Sequence, residues 1–270
     1  MSLFYRIKKF FKRKNLVPVY IKIPESKILE GKTALIIGGC GGIGFAIAKS
    51  FREAGCDVVI TGTNEERLCS IADKLNAKYV LLDIKNFSSI SNAIQEAFKK
   101  CNDCIDILVN ASGVNCRKDF FSFTEDDYNS VMDINVKGTF FITQIFAKEM
   151  YNRGIKGHIL NVASSSSLRP AWSPYRISKV LVSQITKGFA DVLLPYGIIV
   201  NAIGPGPTAT SMMGLHEDDP ITLDSNPSGR YATPAEIAYL ATYLVSDMAN
   251  LVVGETVYIT GGSGVISYHK

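Results

Sequence analysis

Short apolar runs alternate with longer amphipathic segments along this chain, and this alternation restricts the possible folds more than any other feature. Seven runs have the length and composition of buried strands: Thr33–Ile37, Asp57–Thr61, Tyr79–Leu82, Ile105–Asn110, His158–Val162, Ile198–Ile203 and Thr256–Ile259. Helical spacing of apolar residues lies between several of them, in Ile43–Ala54, Glu65–Leu75, Ser88–Lys100 and a long segment around Ile134–Tyr151. Strands that are apolar throughout and separated by helices indicate a parallel sheet covered on both faces. We therefore predict an α/β fold with a doubly wound parallel sheet of about seven strands.

The composition is that of a globular protein. The 270 residues are 47% hydrophobic and 20% charged, which excludes a disordered or a disulfide-stapled chain. The alternation continues to the C-terminus without a linker, so we predict a single domain over residues 31–270. Six cysteines are too few for a disulfide scaffold, and no secretory signal is present, so a cytoplasmic protein with reduced thiols is expected. No apolar run reaches the 18 residues of a transmembrane helix.

Residues 1–30 form a separate basic arm in this interpretation. Residues 1–14 carry six basic side chains and no acid, whereas the other 256 residues have a formal net charge of −2. A body with this charge gives no support to nucleic-acid binding. Leu3, Phe4, Ile7, Phe10 and Phe11 share one side of a helical projection, which predicts a short basic amphipathic helix over residues 1–14. A helix of this kind can lie on an anionic membrane surface. The alternatives are a helix docked on this protein or its oligomer partner, and a frayed tail. Residues 16–24 fit an edge strand or an extended linker.

A glycine-rich turn connects the first predicted strand to the first predicted helix. Gly38 is followed by Gly42 and then Gly44, with Gly41 between them. Missing side chains let a ligand approach the backbone, and the amides and dipole at a helix N-terminus attract phosphate. On the first strand of an alternating β/α chain, this turn indicates a pyrophosphate site and a Rossmann-like fold.

Further motifs follow in order, and together they carry a family resemblance. They are Asn110-Ala-Ser-Gly113, Asn135 in Asn-Val-Lys-Gly-Thr, Ser164 after the fifth strand, Tyr175-Arg-Ile-Ser-Lys179, Pro205-Gly206 and the terminal Gly254–Gly262. With the glycine turn, the sequence resembles the short-chain dehydrogenase/reductase family, and in particular its 3-oxoacyl-[acyl-carrier-protein] reductase-like members. The resemblance covers residues 32–266.

The resemblance implies a role for each matching residue. Tyr175 is the general acid/base, Lys179 lowers its pKa and binds the cofactor ribose, Ser164 hydrogen-bonds the substrate carbonyl, and Asn135 helps hold a water that relays protons. A lysine one helical turn from a tyrosine suits this chemistry because free tyrosine titrates near 10, too high for ready exchange at neutral pH. The implied cofactor-binding residues are Gly38, Cys40, Gly41, Gly42, Ile43, Gly44, Thr63, Asp83, Ile84, Asn110, Ala111, Gly113, Tyr175, Lys179, Pro205, Gly206, Thr208 and Thr210.

Some positions depart from the family pattern. Ile37 replaces the threonine at the head of the glycine motif, so one hydrogen bond that steadies the turn is lost. Ala111 replaces the second asparagine of the Asn-Asn-Ala-Gly turn. Ser164–Ser167 is a run of four serines, and only one can contact the substrate oxygen. We select Ser164 because it follows the strand directly.

The end of the second strand bears on the choice of cofactor. Gly62 stands where a carboxylate would bind the ribose hydroxyls of NAD and repel the 2′-phosphate of NADP. Thr63 and Asn64 next to it can donate hydrogen bonds, and Arg67 nearby can supply charge. We therefore predict NADP in preference to NAD.

These observations predict an oxidoreductase that transfers a hydride between a nicotinamide cofactor and a small-molecule ketone or secondary alcohol. Family members form dimers or tetramers through the helices that carry Asn135 and Tyr175, so the resemblance implies a homodimer or homotetramer. The alternatives are a non-catalytic dinucleotide-binding sensor or scaffold and a nucleotide-sugar epimerase or dehydratase. A metal is not expected, because Cys101 and Cys104 have no second pair. Ser211–Arg230 is rich in loop formers and is predicted to form a short lid.

Overall fold

A computed structural model of the protein describes residues 27–215 and 219–267. Within these residues, seven strands form one parallel sheet in the order β3-β2-β1-β4-β5-β6-β7. They are β1 (Thr33–Ile37), β2 (Asp57–Gly62), β3 (Lys78–Leu81), β4 (Ile107–Asn110), β5 (Gly157–Val162), β6 (Ile198–Pro205) and β7 (Thr256–Ile259). The predicted doubly wound parallel sheet is confirmed.

The helices connect these strands and cover both faces of the sheet. They are α1 (Gly42–Glu53), α2 (Glu65–Leu75), α3 (Phe87–Lys100), α4 (Glu125–Met132), α5 (Thr139–Arg153), α6 (Pro174–Leu193) and α7 (Pro234–Leu244). One apolar layer contains side chains of α1, α2 and α7, and the other contains side chains of α3, α5 and α6. Alternate residues of β1 enter opposite layers, Ala34 and Ile36 on one side and Leu35 and Ile37 on the other. This is the period of two that a strand imposes.

The helix predicted around Ile134–Tyr151 differs from the structure. Helices α4 and α5 are joined by one π-type turn, Asp133–Gly138. The helical segment therefore begins at Glu125, before the predicted Ile134, and contains a wider turn at its centre. Thr124 caps α4 in a reciprocal arrangement with Asp127, which fixes its start. Gly138 lies against the side chain of Ile84, where a Cβ would overlap it. The turn is therefore shaped by a contact from a distant part of the chain.

Much of the basic arm lies outside the described residues. The proposed amphipathic helix of residues 1–14 and the linker of residues 16–24 stay predictions. In the part of the chain that the structure covers, no helix combines the length and the apolar character needed to cross a membrane.

Candidate active site

A cleft of about 740 Å³ lies at the carboxyl ends of the strands. It crosses the sheet where β1 and β4 are neighbours, which is where the strand order reverses direction. Ligands of doubly wound sheets bind at this position, and the volume is typical of small-molecule sites. The glycine turn lies along the cleft, between an end near Asp83 and an end near Tyr175.

The glycine turn leaves the N-terminus of α1 open to the cleft. Gly41 is the N-cap residue, no side chain caps the helix, and its first turn holds no acid. The first amides of α1 therefore have no intrahelical partner and can donate to an anion. The turn is also tightly packed, since a Cβ on Gly44 would overlap the Gly38 carbonyl oxygen and one on Gly42 would lie 2.8 Å from Thr210 Cγ2. These features fit the pyrophosphate of a dinucleotide.

Thr61 holds the turn from the end of β2. Its hydroxyl accepts a hydrogen bond from the Gly38 amide at 3.3 Å, and its carbonyl accepts one from the Gly39 amide at 3.1 Å. The isoleucine at position 37 therefore does not leave the turn without side-chain support. The sequence alone does not reveal this replacement, because Thr61 lies 24 residues from Ile37.

Tyr175 and Ser164 meet at one end of the cleft. Ser173 caps α6 and Pro174 occupies its first turn, which places Tyr175 at the helix start, while Ser164 follows β5. The Ser164 side chain is close enough to the phenol to favour its ionised form. Burial raises the pKa of Tyr175 above its ordinary value, and the neighbouring Ser164 side chain and the positive charge of Arg117 oppose that rise. Of the four serines, Ser164 is thus the one beside the phenol, and Ser167 instead bonds Tyr258 at 2.8 Å.

Lys179 lies one helical turn after Tyr175, on the same side of α6. Its ammonium donates to the Val162 carbonyl at 2.7 Å and lies 5.8 Å from the centroid of the Tyr175 ring. Burial lowers the pKa of Lys179 to about 8. Ser164 and Arg117 oppose the rise in the pKa of Tyr175. An effect of Lys179 on that pKa stays a prediction.

The buried ammonium should make stability depend on pH. The pKa of Lys179 falls from 10.5 to about 8 on folding, so the unfolded chain binds more protons between these values. The stability linked to this group is complete above the unfolded pKa and is lost as pH falls through about 8. We expect the free energy of unfolding of the wild type, relative to Lys179→Met, to rise by about 1 kcal/mol from about pH 8 to about pH 9 in urea titrations. Lys74→Met changes an exposed lysine of α2 and should give a profile parallel to the wild type; a parallel profile for Lys179→Met would contradict the expectation.

Asn135 is buried in the π-type turn and forms hydrogen bonds next to the catalytic end of the cleft. Its side chain donates to the Val114 carbonyl and to Ser178 Oγ, both at 3.0 Å, and accepts from the Val114 amide at 2.9 Å. Ser178 lies on α6 between Tyr175 and Lys179. Asn135 therefore ties the segment after β4 to the helix that carries the Tyr-Lys pair. It does not line the cleft, so contact with a water through its side chain stays a prediction.

Arg67 lies at the opposite end of the cleft. Asn64 caps α2, and the Arg67 guanidinium donates to the Cys40 carbonyl at 2.9 Å, so that α2 and the glycine turn are linked beside Thr63. A Cβ at Gly62 would lie 3.2 Å from Cys40 Sγ, which leaves little room for an acid there. Asp83 also borders this end and accepts from the Lys85 amide at 3.0 Å.

The segment after β6 closes part of the cleft. Thr208 is buried, with its hydroxyl on the Gly206 carbonyl at 3.0 Å, and Thr210 packs on the glycine turn. Arg117 donates across the cleft to the Met212 carbonyl at 3.1 Å. The beginning of the predicted lid thus contacts the segment that follows β4.

The structure brings most of the predicted site residues to this one cleft. Those that line it are Gly38, Cys40, Gly41, Gly42, Ile43, Gly44, Thr63, Asp83, Ile84, Ala111, Gly113, Ser164, Tyr175, Lys179, Pro205, Gly206, Thr208 and Thr210. Asn110 is the other exception beside Asn135. It is buried in a chain of hydrogen bonds that joins Thr143, Asn110, Asn161 and Thr186 beneath the cleft.

Three cationic residues at the catalytic end were not identified from the sequence: Arg117, Arg169 and Arg176 line the cleft. The sequence contains a signal for Arg169 and Arg176, because residues 150–190 carry six basic side chains and no acid. An acid-free segment around a predicted active site is expected to leave cations without local partners.

Comparisons with known proteins agree with this geometry. A family model described as enoyl-(acyl carrier protein) reductase matches residues 38–264. A 3-oxoacyl-[acyl-carrier-protein] reductase of Aquifex aeolicus is 32% identical over 244 residues, covering 87% of this chain and 98% of that protein. A gluconate 5-dehydrogenase of Gluconobacter oxydans is 32% identical over 250 residues, covering 88% and 97%.

Solved structures show the same fold. A gluconate 5-dehydrogenase from Burkholderia cenocepacia, in complex with NADP and tartrate, has a TM-score of 0.82 at 32% identity and covers 90% of this chain and 99% of that one. A 3-ketoacyl-(acyl-carrier-protein) reductase from Brucella melitensis, complexed with NADH, has a TM-score of 0.79 at 29% identity and covers 88% and 100%. With the glycine turn, the Tyr175–Lys179 pair and Ser164 gathered at one cleft, the chain belongs to the short-chain dehydrogenase/reductase family of NAD(P)-dependent oxidoreductases.

Proposed function

We propose that the protein exchanges a hydride between a nicotinamide cofactor and a ketone or secondary alcohol, with Tyr175 as the general acid/base. The observation that carries the proposal is the grouping of Tyr175, Ser164 and Lys179 at one end of a cleft that also contains the open N-terminus of α1. When bound, the nicotinamide supplies the hydride for reduction or accepts it for oxidation.

Two hydroxyl groups are available to a substrate oxygen at this end. In reduction, the Tyr175 hydroxyl gives its proton to the oxygen as the carbonyl carbon gains the hydride, and in oxidation the proton returns. Ser164 donates to the same oxygen and holds it beside the phenol. A raised pKa keeps Tyr175 protonated at neutral pH, which suits donation during reduction.

Lys179 and Asn135 contribute to the site through α6, the helix that carries Tyr175. The Lys179 ammonium has one bond to the Val162 carbonyl and two further N–H donors that can reach ribose hydroxyls. Asn135 fixes the distance between α6 and the segment after β4. The comparisons give no support to a non-catalytic sensor, since the matched relatives are named as oxidoreductases.

A substrate screen tests the function directly. Ketones and secondary alcohols are offered to the full-length protein with NADPH, NADH, NADP⁺ and NAD⁺ in turn, and nicotinamide absorbance is followed. Turnover that requires Tyr175 supports the proposal. Turnover that is unchanged in Tyr175→Phe would overturn it.

We propose NADP as the preferred cofactor because Arg67 supplies the only cation near Gly62 and Thr63 among the described residues that line the cleft there. A relative of known structure binds NADP and another binds NADH, so the family does not decide the question. The guanidinium can form charge-assisted hydrogen bonds with a 2′-phosphate, which NAD lacks.

Arg67→Gln should therefore weaken NADPH binding by about 10-fold or more and NADH binding by less than about threefold. Fluorescence titration of each reduced cofactor measures both dissociation constants without a substrate. Lys74→Gln removes a charge from the same helix outside the cleft and should change neither. Equal losses for the two cofactors would show that Arg67 only supports the glycine turn through Cys40.

We also propose a homo-oligomer formed through α5 and α6. These helices and the turn that follows α6 expose an apolar surface that includes Phe140 (37% exposed), Tyr151 (61%), Val192 (56%) and Tyr196 (52%). The Tyr151 and Tyr196 rings are in edge contact at 5.0 Å, so the surface is continuous from α5 to the turn after α6. A patch of this kind on two adjacent helices fits a self-complementary interface.

Sedimentation velocity should give the mass of two or four chains for the wild type and a lower mass for Val192→Glu, because the new charge would be buried without a partner. Phe121→Glu, at a side chain that is 95% exposed on the segment after β4, serves as the matched control and should keep the wild-type mass. A monomeric wild type at about 10 μM would contradict the interface.

A further inference from the structure

The seven arginines in the part of the chain that the structure describes divide into two groups according to their partners. Arg52, Arg153 and Arg230 lie outside the cleft, and each has a carboxylate oxygen within 4.0 Å. Four others, Arg67, Arg117, Arg169 and Arg176, line the cleft. Within residues 27–215 and 219–267, none of these four has a carboxylate partner. Unpaired guanidinium groups are thus concentrated where a ligand binds.

Three of the four lie at the catalytic end. Arg117 is on the segment after β4, Arg169 follows Ser164 by five residues, and Arg176 follows Tyr175 directly on α6. The charge of Arg117 is close enough to affect the ionisation of the Tyr175 hydroxyl. A substrate whose oxygen contacts Tyr175 would therefore extend among these arginines.

Each of the three is held in place by neutral acceptors that use only part of its hydrogen-bonding capacity. In the described residues, Arg117 bonds the Met212 carbonyl and Met213 Sδ through one terminal nitrogen. Arg169 bonds Ser263 Oγ through one terminal nitrogen at 2.9 Å, and Arg176 bonds the Pro170 carbonyl through one at 3.1 Å. A guanidinium has five N–H donors, so each keeps its Nε–H and a second terminal nitrogen available.

The cofactor phosphates do not account for this group. They fit the glycine turn and Arg67, which occupy another part of the cleft. The only carboxylate among the described residues that line the cleft is Asp83, at the end near Thr63. The catalytic end is therefore strongly cationic, and nothing described there neutralises it.

We propose that the substrate carries an anionic group, a carboxylate or a phosphate, which binds Arg117 together with Arg169 and Arg176. The proposal rests on the proposed function, because it places the substrate carbonyl or alcohol at Tyr175. Guanidinium groups form paired hydrogen bonds with both kinds of anion, and the anion orients the reacting oxygen toward Tyr175 and Ser164. Neutral ketones lack this contact.

The test compares ligands that differ only in the anion. Full-length protein loaded with NADP⁺ is titrated calorimetrically with levulinate and methyl levulinate, and separately with dihydroxyacetone phosphate and dihydroxyacetone. The oxidised cofactor has no hydride to give, so the ketones bind without being reduced. We expect the anion of at least one pair to bind about 10-fold more tightly than its neutral partner, and the pair that responds distinguishes a carboxylate site from a phosphate site.

The variants assign the preference to the arginines. Arg117→Gln and, independently, Arg169→Gln should reduce the ratio within the responding pair to about threefold or less. Lys118→Gln removes the next charge along the same segment, which is paired with Asp127 at 2.6 Å and lies outside the cleft, and should leave the ratio unchanged. Equal binding within both pairs, no binding of either anion at about 10 mM, or a ratio that survives both arginine variants would overturn the proposal.

The screen for turnover distinguishes this outcome from a failure of the proposed function. If the protein prefers the anions but neither reduces ketones nor oxidises alcohols, the proposed function is wrong and the anion-binding site is still supported. If neutral ketones are turned over as fast as their anionic partners, the proposed function is supported and the anion-binding site is contradicted.

Discussion

Tyr175→Phe is expected to reduce turnover by about 10²–10⁴-fold while the dissociation constant of the nicotinamide cofactor changes by less than about threefold. The substitution removes the one hydroxyl that can exchange a proton with the substrate oxygen and keeps the ring that packs at the start of α6. The phenol lies beside Ser164, and the Lys179 ammonium donates to the Val162 carbonyl rather than to Tyr175. Cofactor contacts through Lys179 and the glycine turn should therefore survive.

Two serines from the same run provide a matched comparison. Ser164→Ala removes the hydroxyl beside Tyr175 and should lower kcat by about 10–10³-fold, whereas Ser167→Ala removes a hydroxyl that is bonded to Tyr258. Steady-state kinetics and fluorescence titration of the reduced cofactor measure both effects. If Ser167→Ala lost more turnover than Ser164→Ala, the assignment within the run would be wrong.

Gly44→Ala is expected to weaken cofactor binding by about 100-fold or more, because a Cβ at this position overlaps the Gly38 carbonyl oxygen. The oxygen belongs to the backbone of the turn and cannot move aside as a flexible side chain would. Either the helix or the turn must shift, and the first amides of α1 then no longer converge on a pyrophosphate. The loss should appear equally with NADPH and NADH, since both carry the same pyrophosphate.

Gly41→Ala is the matched substitution for this experiment. A Cβ there would lie 3.4 Å from the Gly38 carbonyl oxygen, so the backbone of the turn can stay in place. We expect a loss of binding of at most about fivefold. Far-UV circular dichroism and urea titration separate lost binding from unfolding of Gly44→Ala. Near wild-type affinity in a folded Gly44→Ala protein would contradict the role of the close packing.

The sequence predicts the sheet well because most of its strands, β1, β2, β4, β5 and β6, are buried along nearly their whole length. Continuous apolar runs then mark the strands, and Thr33–Ile37 and Thr256–Ile259 have the predicted bounds. The fourth strand begins at Ile107 rather than Ile105, since Ile105 is buried in the core before the pairing with β1 begins. Burial and sheet pairing are separate properties, and hydrophobicity reports only the first.

The site was predictable where its residues are related by local geometry. The four-residue spacing of Tyr175 and Lys179 places both on one side of a helix, and the glycine turn follows directly from a strand. Electrostatic effects were less accessible. Burial raises the pKa of Tyr175, and Ser164 and Arg117, from the segments after β5 and β4, oppose that rise. Burial also lowers the pKa of Lys179.

The sequence by itself determined the order of strands and helices and the position of the pyrophosphate turn, because these follow from hydrophobic periodicity and short spacings along one element. Its ordered motifs identified the candidate acid/base through their family resemblance. Only the tertiary structure decided that Thr61 supports the glycine turn and that Asn110 lies beneath the cleft. It also placed at the catalytic end three arginines that have no carboxylate partner among the described residues. Hydrogen bonds and ion pairs form between groups that the fold brings within a few ångströms, and these groups are separated by tens of residues in the chain.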